Sequence, residues 1–343
     1  MTPDDFLRSI TPGCKQPEGL GLDQFRKFDP KNETLELSVP ADSIFYKIGQ
    51  NGLISFSDYM FLLTLLCTPW RYFEVAFRMF DLNGDGTVDV EEFDRVQTVL
   101  RSQTAVGLRH RDHSSTGNVI RSPVNSALLS YFFGNELNGK LSHESFLKFR
   151  KAFMNDIQRM EFESYHPIDG RISELDFAEW LIVFAGYSDK KKRKILKRVG
   201  SQFSSDKGDG DDNENEKLEN VSNVPGITWE EYHNFCKFLH LTFDVDAALQ
   251  LHSVSGSRVD RATLDRVARV ICGFPLSEKI LDIMFTIFDV NHDDSLSPKE
   301  FIGVMKRRLM RGLDHPKDTG FTRLLDAMYY CTKQAISPKH YQD

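Results

Sequence analysis

Two twelve-residue stretches carry oxygen-bearing side chains at the rhythm a hard cation needs. Residues 81–92 read DLNGDGTVDVEE. With Asp81 as place one, Asp81, Asn83, Asp85 and Asp89 can point side-chain oxygens at one centre, and Thr87 can offer its main-chain carbonyl. Glu92 follows at place twelve, where a long carboxylate can bind through both oxygens. Six or seven hard oxygens at about 2.3–2.6 Å suit calcium, whose shell is large and flexible, whereas magnesium prefers a tighter octahedron and keeps its waters. Gly86 stands at place six, where the loop turns sharply and a positive φ is needed. Residues 289–300, DVNHDDSLSPKE, repeat the pattern with Asp289, Asn291, Asp293, the carbonyl of Ser295, Ser297 and Glu300. Place six is here Asp294, which tolerates the left-handed region at roughly 1 kcal/mol over Gly. Place nine is Ser297, which ligates through water and removes one carboxylate. The charge count therefore predicts tighter calcium binding by the first loop.

Each loop must be held by helices. RYFEVAFRMF before the first and EFDRVQTVL after it place Phe73, Ala76, Phe77 and Phe80, then Phe93, Val96 and Leu100, at helical spacing. KILDIMFTIF and FIGVMKRRLM do the same for the second. Both are helix–loop–helix units of the EF-hand pattern. Weaker echoes occur as NGLISFSDY (51–59), NGKLSHESF (138–146), DGRISELDF (169–177), PGITWEEYHNF (225–235) and GSRVDRATL (256–264). The apolar residues at place eight are then Ile54, Val88, Leu141, Ile172, Ile227, Val259 and Leu296, a repeat of one unit. The echoes lack ligands, with Lys47, Gly134 and Tyr165 at place one of three of them, so they are structural partners. Pairing through loop strands predicts that 81–92 leans on 47–58 and that 289–300 leans on the 252–263 region.

The expected fold is all-α: two lobes of paired helix–loop–helix units, each with one live hand and one or more degenerate hands, plus a C-terminal helix. The divisions expected are an N-terminal segment 1–36 without regular pattern, an N-lobe 37–168, a C-lobe 169–312, and a C-terminal helix and tail 313–343. Within the C-lobe, residues 204–223 are acidic and poor in apolar residues, the composition of a disordered loop. The basic run KKKRKILKR (190–198) before it reads as a solvated helix face matched to that loop, or as a site for a lipid headgroup or acidic partner. MKRRLMRGL puts Lys306, Arg307, Arg308 and Arg311 on a helix, with Val304, Met305 and Leu309 assigned to the opposite side, a basic amphipathic helix suited to an acidic surface. FTRLLDAMYYCTKQA (321–335) is amphipathic and suits a partner-binding helix.

The chain has 343 residues and a formal net charge of −7, which argues against nucleic acid as the main partner. No apolar run reaches the length of a membrane span. The start, MTPDDFLRS, is neither a secretory signal nor an Arg-rich transit segment. Five cysteines, with Cys67 and Cys272 in apolar runs expected in the core, form no zinc spacing, and the odd count leaves one for an intermolecular bond. His110-Arg111-Asp112 resembles a kinase catalytic loop, but the required Asn is replaced by Gly117 and no phosphate loop precedes it. With no other catalytic motif, the expectation is a protein that is not an enzyme.

LISFSDYMFLLTLL, AFRMFDLNGDGTVDVEEFDRVQ, RSQTAVGLRHRD, YFFG, DGRI and the segment from MKRRLMRGL to GFTRLLDAM resemble the mitochondrial calcium uptake family, most closely its gatekeeping branch. Members are EF-hand regulators of the mitochondrial calcium uniporter. The resemblance implies a peripheral protein of the intermembrane space that caps the uniporter pore at low calcium and releases it at high calcium, with Ca2+ as the cofactor. The partners implied are the pore subunit, its small membrane adaptor, and a second copy or sister member. Arg8, Lys306, Arg308 and Arg311 fall at positions that face the pore's acidic ring. Arg71 and Asp244 match a cross-dimer ion pair, and Cys331 matches an intermolecular disulfide, which the intermembrane space permits. The family's leader, hydrophobic segment and lysine-rich stretch have no counterpart in this sequence, and Asp294 departs from its usual Gly. The alternative is a soluble EF-hand adaptor or calcium buffer without a channel partner; buffer hands barely open on binding.

Overall fold

A computed structural model describes residues 1–13, 39–40, 42–48, 53–68, 70–81, 84–103, 127–204, 225–254, 258–289 and 291–311. The expected acidic loop, the His110 segment and the C-terminal helix lie outside the described residues, as does Cys331.

The first live hand is α4 (Trp70–Phe80), its loop with strand β1 (Thr87–Val88), and α5 (Val90–Gln103). Before it come α1 (Pro3–Ile10), α2 (Ile44–Ile48) and α3 (Phe56–Cys67). After it come α6 (Ala127–Phe133), β2 (Leu141–Ser142) and the long helix α7 (His143–Glu163). The second half runs β3 (Arg171–Ile172), α8 (Glu174–Ile182), α9 (Asp189–Ser204), β4 (Ile227–Thr228), α10 (Trp229–His240), α11 (Thr242–Val254) and α12 (Arg261–Cys272). It ends with the second live hand, α13 (Glu278–Phe288), its loop, and α14 (Pro298–Leu309).

All seven apolar residues at place eight are buried, none more than 4% exposed. They meet in pairs. Val88 faces Leu141 across β1 and β2, Ile172 faces Ile227 across β3 and β4, and Val259 bridges Leu296. The second live loop thus leans on the 252–263 region as expected. The first does not lean on 47–58; it pairs with the loop after α6. The reason lies at the chain's start, because the Ile54 amide donates to the Met1 carbonyl at 2.8 Å and the Met1 ammonium donates back to the Ile54 carbonyl at 3.3 Å. With its edge taken by the N-terminus, the 47–58 loop leaves Val88 to the following hand. At that hand the backbone closes tightly, and a Cβ on Gly139 would sit 2.6 Å from the Phe133 carbonyl oxygen.

The first residues of the N-terminal segment form a helix, Pro3–Ile10, where no pattern was expected. Thr2 and Asp5 form a reciprocal capping box, Pro3 opens the helix, and Phe6, Leu7 and Ile10 are buried. The stop comes at Thr11, whose extended backbone breaks the turn. One hydrophobic core runs from Phe6 to Met160 and a second from Phe162 to Met305, so the two part inside α7. Phe146, Phe149, Phe153, Ile157 and Met160, spaced three or four apart, form the stripe α7 gives to the first core. Its last turn turns Glu161 and Phe162 to the second. No described helix is long and apolar enough to cross a membrane.

Candidate calcium loops and their coupling

The two loops close in the same way. In the first, the amides of Asp85 and Gly86 donate to the two Asp81 carboxylate oxygens at 3.0 and 2.8 Å. In the second, the amides of Asp293 and Asp294 donate to Asp289 at 3.2 and 3.0 Å. The amide and hydroxyl of Thr87 donate to Asp85 Oδ1 at 2.9 and 2.6 Å, and those of Ser295 donate to Asp293 Oδ1 at 3.1 and 2.5 Å. Places four and six are left-handed in both: Gly84 and Gly86 at φ 68° and 77°, His292 and Asp294 at 57° and 53°. Asp294 therefore adopts the conformation that its place requires, and His292 adds a second non-glycine strain at roughly 1 kcal/mol. The exit helices differ. Asp89 caps α5 by accepting the Glu92 amide at 2.9 Å, whereas Ser297 makes no side-chain cap to α14.

These hard oxygens and their pre-turned backbones fit calcium, with Asp81, Asp85, Thr87, Asp89 and Glu92 as donors in one loop and Asp289, Asn291, Asp293, Ser295, Ser297 and Glu300 in the other. Asn83 lies outside the described residues. Among the described residues, no three His, Cys, Asp or Glu side chains converge on a metal-sized point. The place-twelve carboxylates explain this. Glu92 folds back to accept the Asp89 amide at 3.1 Å. Glu300 accepts from Lys191 Nζ at 2.8 Å and from the Tyr187 hydroxyl at 3.0 Å. Lys191 is the first cause holding the Glu300 carboxyl below its ordinary range. Lys191 belongs to the basic run, which is thus more than a solvated face; Arg198 of the same run donates to the Ile287 carbonyl in the last turn of α13 at 2.8 Å.

The basic helix needs a correction. Arg308 is 5% exposed. Its place in the repeat explains this, because Phe301, Val304, Met305 and Arg308 follow at three- and four-residue steps on one buried face. Arg308 stacks 3.9 Å over the Trp180 ring and donates to Glu161 Oε1 at 3.1 Å. Arg311 donates to the same oxygen at 2.5 Å. Burial alone would raise the Glu161 carboxyl, but Arg311 and Arg308 bring it down to about 2. Lys306 donates to Asp246 at 2.6 Å, and Arg8 lies half-exposed 3.9 Å from Asp5. Sequence reasoning missed Glu161, whose lone signal is a carboxylate at the end of an apolar stripe.

Of the expected dimer residues, Asp244 lies in the first turn of α11, and the side chain of Arg71 on α4 lies outside the described residues. Asp244 lines a cavity of about 270 Å³ between the two cores, with Tyr72, Arg150, Glu161, His240 and Arg308 among its walls. Of the described cysteines, Cys236 is buried and Cys272, expected in the core, is half-buried; both are free thiols.

Comparison with known proteins agrees with this geometry. An EF hand model matches residues 73–97 and an EF-hand domain pair matches 255–308. The chain is 47% identical over 338 residues to calcium uptake protein 1, mitochondrial, of Bos taurus, covering 97% of this chain and 67% of that protein. It is 46% identical to the Homo sapiens protein of the same name with the same coverage. Among solved structures, it resembles the apo structure of the mitochondrial calcium uniporter protein MICU2 with a TM-score of 0.64 at 26% identity, covering 98% of this chain and 89% of that one. EFHA2 in its Ca-binding state gives 0.65 at 26% identity, covering 88% and 91%.

Proposed function

Because the chain belongs to the family of mitochondrial calcium uptake proteins, we propose that it is a calcium-sensing regulatory subunit of the mitochondrial calcium uniporter, capping the pore at low calcium and releasing it at high calcium. The observation that carries the switch is the chain of contacts between the loops. The first loop pairs through β1 with β2, β2 leads directly into α7, and Glu161 at the far end of α7 holds Arg308 and Arg311 at the end of the second loop's exit helix. When bound, calcium supplies charge neutralisation to the loop carboxylates, which reorients exit helices in sensor hands. Glu300 must leave Lys191 and Tyr187 to reach it. That pull acts on the first turn of α14, and Arg308 lies about two turns on, with Arg311 just past the helix end.

The surface offered to an acidic pore mouth is Arg8 and Lys306. Arg308 and Arg311 join it only if Glu161 lets go, so we assign them first to the clamp. The protein works in the intermembrane space at the inner membrane surface, beside the pore subunit and its small adaptor. It pairs with a second copy or a sister member through Arg71 and Asp244, tethered by Cys331. On a non-reducing gel, Cys331→Ser is expected to abolish the covalent dimer; persistence of that band would reject the tether.

The test uses uniporter-containing mitochondria that lack their own regulator. Added wild-type chain is expected to suppress uptake below the roughly 10⁻⁷–10⁻⁵ M range of sensor hands and to release it above. Arg8→Glu with Lys306→Glu is expected to leave uptake open at low calcium. Suppression that survives this double change rejects the basic plug, and no effect of the wild-type chain on uptake supports the adaptor or buffer reading instead.

A further inference from the structure

In both live loops a cation from the paired silent loop sits on the place-five carboxylate. Lys140 reaches Asp85 Oδ2, and Arg258 Nη1 reaches Asp293 Oδ2 at 3.2 Å. The two cations occupy the same position: Lys140 is place seven of the loop starting at Gly134, and Arg258 is place seven of the loop starting at His252. Each immediately precedes the residue that pairs across the loops, Leu141 or Val259. The same oxygen is used twice, because Oδ1 of each aspartate is already occupied by the following Thr87 or Ser295. The silent pair is an internal control. Its place-seven cation, Arg171, faces a loop whose place five is Val224, and it donates instead to the Gly226 carbonyl at 3.3 Å.

We propose that Lys140 and Arg258 are tethered cations that calcium must displace, so that each silent hand sets the calcium affinity of its live partner. This rests on the reading of the two loops as calcium sites. Place five is a ligand position, and an aspartate held by an ammonium or guanidinium presents the loop with a neutralised donor. The cation also repels a divalent ion a few ångströms away. At the second loop, Lys191 on Glu300 adds a second displaced cation, in line with the weaker binding expected there.

Calorimetric calcium titration of the full chain tests this. Lys140→Met is expected to tighten the first site about three- to tenfold, the combined size of an exposed ion pair and of one cation's repulsion from a divalent ion in water. Arg258→Met is expected to tighten the second site by a similar factor, each leaving the other site unchanged. Lys140→Arg keeps the charge and should match wild type, as should Lys148→Met, which removes a charge paired with Glu144 on α7. The gap between wild type and Lys140→Met should shrink at 0.5 M KCl, where exposed charges are screened. Unchanged or weaker binding in both Met variants, with the wild type still binding calcium, overturns the proposal alone. A wild type that binds no calcium overturns the loop reading as well.

Discussion

At the level of single residues, the two loops share a backbone and differ in what they offer. Places one, three and five match, but Ser297 replaces Asp89, and the left-handed places are His292 and Asp294 instead of glycines. The first loop is therefore expected to bind more tightly. Titrating Glu92→Gln, which leaves only the second loop intact, should give the weaker isotherm, and Glu300→Gln the tighter; the reverse order would reject the charge count. The donors were legible because calcium chemistry demands oxygens at fixed places within twelve residues. Lys140, Arg258, Lys191 and Tyr187 were not, since each reaches its carboxylate from another segment. The two place-seven cations become visible only once the loops are paired, and that pairing depended on where Met1 lies.

Among the elements, α7 joins the two halves. Its first turn follows the strand that braces the first loop, and its last turn carries Glu161. Breaking a buried ion pair by removing one partner costs roughly 3–5 kcal/mol, because the other charge is left buried. Glu161→Gln should destabilise the fold on that order in denaturant melts. The joint change of Glu161, Arg308 and Arg311 to Met should recover most of it, and additive losses would contradict the clamp. The acid dependence has a definite sign. Glu161 is held at about 2 in the folded protein against an ordinary value of 4.5, so its contribution is complete above pH 4.5 and is lost as pH falls toward 2. Helical periodicity announced most of these helices, but it also misled. Residue type alone places basic side chains on the outer face, although the step of four from Val304 puts Arg308 inside. The helix behind the Thr2–Asp5 capping box is only eight residues long, too short for helical periodicity to stand out in the sequence.

Across the whole molecule, the two cores meet around a cavity that keeps His240 neutral. Burial, and after it the nearby Arg150 and Arg311 charges, lower this imidazole to about 4 against 6.5, although its bond to the Cys236 carbonyl favours the charged form. His233, also lowered by burial, lies close by. The unfolded chain then binds a proton between pH 6.5 and 4 that the folded chain refuses, so stability should fall as pH drops through that window, with a slope approaching one proton. His240→Asn should flatten the slope, and an unchanged profile would place the titration elsewhere. The repeat of helix–loop–helix units was readable along the whole chain, whereas the meeting of the halves was not, since no local pattern encodes a contact between residues 147 apart. The central claim is that calcium at the loops is felt at the clamp. Trp180, under Arg308, reports it in a Trp70→Phe, Trp229→Phe background followed by heat and by emission together. The account predicts two saturable calcium sites, with an emission change that tracks the second and disappears in Glu300→Gln. Two full binding isotherms with unchanged Trp180 emission, or no binding at millimolar calcium, would contradict it.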